Sequence, residues 1–174
     1  MQEQTEGSET KGRKQQRMTA DHHGGVVVFL IGMRVNRWRD VRRWLPVARA
    51  MPRMIEELQD KPDSGFLGFE PAGFGTMIQY WESKEKLLAY AKDQSGEHFP
   101  AWADFYRRSA EGGAVGIWHE TFVVEPGAYE SVYYAMPPRG LGRIAGLIPA
   151  LGRLQGAAGR MARGKPSVED EQAA

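Results

Sequence analysis

An α+β fold, a ferredoxin-like split βαβ antiparallel sheet with helices on one face, is predicted by three features of the sequence. Two runs, 26–35 and 115–124, are β-branched and apolar on both alternating faces. Two stretches repeat apolar residues every three or four positions, as amphipathic helices do. Between them, 66–70 and 76–81 are short β-prone runs joined by Pro71-Ala72-Gly73-Phe74-Gly75, which predicts a hairpin.

Taken in order, residues 1–23 carry four acidic and four basic side chains and little apolar matter, so they are expected to be a disordered tail. Gly24-Gly25 opens the strand 26–35, and Asn36 closes it as a candidate helix cap. From Trp38 the residues Val41, Leu45, Ala48, Met51, Ile55 and Leu58 make an apolar stripe with arginines largely between them, and Pro46 and Pro52 predict a kink or two shorter helices. Ser83 caps a helix from Lys84 to about Asp93, and a second helical stretch begins near Glu97, with Phe99, Trp102, Phe105 and Tyr106 on one face. After Gly112-Gly113 the strand 115–124 follows, then a turn at Pro126-Gly127 and a last strand over 129–135.

The domain is expected to span 24–138. Residues 139–164 form an Arg/Gly-rich extension without an acidic side chain, read as a marginal amphipathic helix, and 165–174 a solvated tail. Helices hide one sheet face only. Because both long strands are apolar on both faces, a second subunit is expected against the other, giving a homodimer.

Composition narrows the function. The 41% apolar content of 174 residues suffices for one core. A net charge of +1, from 23 basic and 22 acidic residues, offers no global field for nucleic acid, so any electrostatic partner must be local. The absence of cysteine removes disulfides, thiolate nucleophiles and cysteine-ligated metals, which fits a reducing, cytoplasmic setting. No apolar stretch is long enough to span a bilayer, and residues 1–17 lack the core of a secretory signal.

Gly116-Ile117-Trp118-His119-Glu120-Thr121-Phe122-Val123-Val124, then Pro126-Gly127-Ala128-Tyr129-Glu130 and Tyr133-Tyr134-Ala135-Met136-Pro137-Pro138-Arg139-Gly140-Leu141-Gly142, resemble the signature of a bacterial and fungal family named after a monooxygenase-like protein of fumagillin biosynthesis. The resemblance runs from about Val26 to Ala150 and includes His98 and Trp102. It implies the dimeric α/β-barrel superfamily, with a pocket between sheet and helices, and a place in secondary metabolism. Ala135 and Arg139 depart from the family's Asn and aromatic at those two positions. A more distant similarity, to aldoxime dehydratases of the same superfamily, implies a histidine near position 119 as an iron ligand of haem.

His119 is the sharpest candidate for both catalysis and cofactor binding. Alternation sets it among Val115, Ile117, Thr121 and Val123, where a neutral imidazole can bind iron or move protons, while Glu120 points the other way. The plain alternative is a core histidine hydrogen-bonded to backbone. His98 lies at a helix start four residues before Trp102, on the same helical face, as a pocket-edge acid or base or else a capping histidine. Trp102, Trp81, Tyr133 and Met136 are the candidate pocket lining, although an aromatic stripe more commonly belongs to a core. His22-His23 has too few co-ligands for a metal, and Gly73-Phe74-Gly75 joins two strands and is no phosphate cradle. Arg139, Arg143, Arg153, Arg160 and Arg163 suit either a membrane surface or a docked helix, with the docked helix favoured.

The expected function is therefore a monooxygenase-like oxidoreductase for a small apolar or aromatic metabolite, with haem or without any cofactor. The alternatives are a non-enzymatic module binding a small hydrophobic molecule or haem, and an aldoxime-dehydratase-like haem lyase.

Overall fold

The computed structural model describes residues 16–93, 96, 103, 105, 106 and 112–164. Its main sheet has four antiparallel strands: β2 (Val26–Val35), β3 (Phe66–Pro71), β4 (Thr76–Trp81) and β5 (Val115–Val124), in the spatial order β3-β4-β2-β5. That is the ferredoxin-like order, and the α+β class follows as the sequence predicts. β2 is central and pairs with β5 along its whole length, from Val26 opposite Val124 to Val35 opposite Val115. Its other edge pairs with β4, Val27 opposite Trp81 and Ile31 opposite Met77.

Register assigns the faces, since residues directly opposite share one. Val27, Trp81 and Phe29 lie on one side, and there they pack with Leu58 of α1 (Val41–Gln59), Leu87 and Tyr90 of α2 (Lys84–Lys92), and Phe66. Both helices therefore cover the same face. Ser83 caps α2 as expected, its hydroxyl accepting from the Lys86 amide at 3.2 Å. α1 runs unbroken through Pro46 and Pro52. Each proline forfeits one backbone bond, and burial of Ile55 and Leu58 beneath the sheet offsets that loss. Asn36 caps nothing: its side chain donates to Gly113 O at 3.1 Å, tying the end of β2 to the start of β5.

The opposite face is partly covered by the chain's own extension, which is not one helix. Glycines at 140, 146, 152 and 156 divide it into α3 (Leu141–Ala145), β6 (Leu147–Pro149), a 3-10 turn at Gly152–Gln155 and α4 (Ala157–Met161). β6 pairs antiparallel with β1 (Met18–Ala20), so part of the segment expected to be disordered is a strand. Thr19 and Ala20 are buried by this pairing, too few residues to leave a pattern in the sequence. Residues 129–135 do not form a regular strand. Their contact with β1 is a single bridge, Met18 to Tyr133, plus side chains: Ser131 Oγ accepts from the Ala20 amide at 3.0 Å and Tyr129 donates to Gly24 O at 2.9 Å.

Glu70 holds the extension down. It accepts from Arg139 Nη2 at 2.6 Å, Arg139 Nε at 2.8 Å and the Gly140 amide at 3.1 Å, and pairs with Arg143 at 3.5 Å. The two arginines beside Glu70, with the Gly140 amide, hold its carboxyl below the usual carboxylate range. Gly68 leaves the space that Ile144 fills, because a Cβ there would stand 2.9 Å from it. Ala135 is the one non-glycine at positive φ among the described residues (52°), a backbone conformation that costs a residue with a Cβ more than it costs glycine.

Candidate functional site

His119 lies opposite Ile31 in register, on the face that bears Val27 and Trp81 and carries the helices. Its ring stands 5.4 Å from that of Phe29, tilted by 38°. It makes no hydrogen bond among the described residues and is exposed in the single chain. β5 is an edge strand, and its residues from Trp118 to Val123 are all exposed. The core-histidine alternative, with the ring fixed to backbone, is therefore not what the geometry displays, and the described residues do not enclose the ring in the apolar space that the strand alternation led us to expect.

Register arranges this face in rows. Met77, Ile31 and His119 form one row across β4, β2 and β5, and Gln79, Phe29 and Thr121 form the next. The floor is apolar and soft, with methionine and aromatic side chains, and the polar groups on it are His119, Thr121 and Gln79. Gln79 is 5% exposed, an amide in an apolar setting. Its nitrogen reaches only sulfur acceptors, Met51 Sδ at 3.7 Å and Met77 Sδ at 4.0 Å, and its oxygen accepts from Trp81 Nε1 at 3.1 Å. A buried amide N–H with such weak partners is a donor available to a better acceptor. Sequence reasoning passed over Gln79. The signal was a lone amide within the otherwise apolar alternation of 77, 79 and 81.

The other expected pocket residues do not join His119. Trp81 is fully buried, packed against Phe66 and Tyr90 with ring separations of 5.3 and 5.7 Å, and belongs to the core two strands away. Tyr133 braces the extension: its hydroxyl donates to Arg139 O at 3.0 Å and accepts from the Gly142 amide at 2.9 Å. Met136 is exposed on the loop before that segment. His98 and Trp102 lie outside the described residues. Trp118 and Phe122, on β5 but facing the other way, are exposed, and the Trp118 ring lies over Gly32, where a Cβ would come within 2.5 Å of it.

Among the described residues no group of three or more His, Cys, Asp or Glu is placed to hold a metal ion. A haem iron is held by a donor such as an imidazole nitrogen. The unbonded imidazole of His119 beside Phe29, Ile31 and Met77 fits that donor chemistry.

Four of the five arginines in the extension are engaged within the chain. Arg139 and Arg143 meet Glu70, Arg160 meets Glu130 at 2.6 Å, and Arg163 meets Asp21 at 2.7 Å. The Arg163 pair, with His23 beside it, lowers the Asp21 carboxyl pKa.

Comparison with known proteins places these residues in a family. The monooxygenase af470 of Aspergillus fumigatus is 31% identical over 131 residues, which cover 69% of this chain and 46% of that protein. The chain thus spans about half the length of the curated relative it matches. An aldoxime dehydratase solved in complex with butyraldoxime shares the fold, with a TM-score of 0.58 at 17% identity over 75% of this chain and 40% of that one. The family model described as monooxygenase af470-like matches residues 26–141, from the first residue of β2 to the start of α3, and the chain belongs to that family.

Proposed function

We propose that this chain is a monooxygenase-like oxidoreductase whose small apolar or aromatic substrate lies on the helix-covered face of the sheet beside His119. The observation that carries this reading is the pair of rows Met77-Ile31-His119 and Gln79-Phe29-Thr121, an apolar floor with one unbonded imidazole. His119 holds or moves a proton at its free nitrogen, Gln79 offers an N–H to a developing anion, and the aromatic and methionine side chains give an apolar substrate a surface to lie on. Should haem be the cofactor, His119 would hold its iron, and the iron would supply the redox chemistry.

The test uses purified full-length protein. Oxygen-dependent turnover of candidate phenols should fall by about 100-fold or more in His119→Ala, the range for loss of a proton-transfer group. Reconstitution with hemin should give a Soret band that collapses in the same variant if haem is used. Because His119 is exposed, the substitution should leave the melting temperature unchanged. Equal turnover and equal spectra in wild type and variant would overturn the assignment.

The proposed working unit is a homodimer. β5 leaves Trp118 and Phe122 43% and 48% exposed on the face away from the helices, as a strand does that awaits a partner. Trp118→Glu with Phe122→Glu should shift the mass in sedimentation equilibrium from two chains to one. A wild-type chain that sediments as a monomer at micromolar concentration would refute the dimer.

A further inference from the structure

Seven arginines and one acidic residue fall between Arg34 and Arg53, in a chain whose net charge is only +1. The compensating acids lie elsewhere, so the charge is polarised toward the β2–α1 loop and the first turns of α1. Arg37, Arg39 and Arg42 are exposed there. In their midst stand two of the most exposed large side chains of the described residues, Trp38 at 59% and Phe74 at 75%, with Val41 also exposed.

These tips are preformed. Trp38 comes from the β2–α1 loop and Phe74 from the β3–β4 hairpin, and their rings are 5.7 Å apart. Met33 N donates to Gly75 O at 2.7 Å, fixing the hairpin against β2, and Trp44 Nε1 donates to Trp38 O at 3.1 Å, fixing the loop against α1. The Trp44 ring also meets Trp38 edge-on at 5.7 Å. With Phe74 and Trp44 both against it, the indole of Trp38 has little open face for a nucleobase to stack on, whereas its outer edge and the Phe74 ring project together.

We propose that this surface docks onto an anionic lipid bilayer, the Trp38 and Phe74 rings entering the headgroup region and Arg37, Arg39 and Arg42 meeting lipid phosphates and carboxylates. Indole and phenyl rings settle at that boundary, and juxtaposed arginines are drawn to anionic leaflets. No helix of the described residues is long and apolar enough to cross a membrane, so the contact is peripheral. It is separate from the extension, whose arginines are largely paired within the chain. A surface of this kind would set the protein where apolar molecules partition.

The test is co-sedimentation of the full chain with phosphatidylcholine vesicles that contain or lack about 30% phosphatidylserine. Binding to the anionic vesicles should exceed binding to the neutral ones at least tenfold and weaken with added salt. Trp38→Ser with Phe74→Ser, and separately Arg37→Glu with Arg39→Glu, should each lower that binding at least tenfold with the melting temperature unchanged. Absence of wild-type binding, or wild-type binding by either pair of variants, overturns the proposal. So does a single-stranded oligonucleotide that binds through Trp38 and Phe74 while vesicles do not. Self-association lost in Trp38→Ser with Phe74→Ser, in place of vesicle binding, would assign the surface to a second copy and likewise overturn it.

Discussion

Trp81→Ala should lower the unfolding free energy by about 3–5 kcal/mol, the range for emptying a large aromatic site in a core. Trp81 is fully buried, its ring is flanked by Phe66 and Tyr90, and Val27, Leu58 and Leu87 close around it. Truncation would leave a cavity and also strip Gln79 Oε1 of its N–H donor. In a domain of this size, each kcal/mol corresponds to roughly 2–4 °C, so the melting temperature should fall by about 6–20 °C. Urea unfolding followed by circular dichroism measures it. Leu88→Ala, at a site on α2 50% exposed, should change stability by less than about 1 kcal/mol. Equal effects of the two substitutions would contradict the placement of the core.

The second large effect is expected at Glu70. Its carboxylate gathers three donated hydrogen bonds and a further ion pair from residues of the extension. Glu70→Ala should cost about 2–3 kcal/mol, below the value for a fully buried pair because Arg139 and Arg143 are about half exposed. The pH dependence has a definite sign. The folded-state pKa is lowered, so the stabilisation is present in full above the unfolded value, near 4.5, and is lost as pH falls through the folded pKa. Wild type should therefore lose stability on acidification below that value, and Glu70→Ala should show a shallower loss. Unfolding curves recorded at neutral and acid pH compare the two slopes, and identical slopes would remove Glu70 from this role.

The sheet was legible because its evidence is local and periodic. β2, β4 and β5 begin and end where the apolar alternation does, and Ser83 marks α2 unaided. The features that were not legible depend on partners distant in the chain. Three residues at 18–20 cannot announce a strand, and they become one because Leu147–Pro149 lies alongside. The prolines of α1 argued locally for a break, which tertiary burial of Ile55 and Leu58 overrode. Arg139 looked like a departure from the family pattern, and its meaning appears only with Glu70, 69 residues away. The site follows the same division. Alternation gave the face of His119, while Gln79 and Phe29 became its companions through strand pairing, and aromatic type alone could not separate Trp81 in the core from Trp118 at the edge.

The pairing of Met18–Ala20 with Leu147–Pro149 has a bearing on biosynthesis. A ribosome adding roughly 5–20 residues per second needs on the order of ten seconds between making the first of these segments and the second. Within that interval β2, β3 and β4 are completed and can assemble among themselves, yet the surface later occupied by the extension stays bare. The nascent polypeptide thus exposes that surface until residues 147–149 emerge, and a stalled product ending before residue 147 would lack the clasp between the two segments.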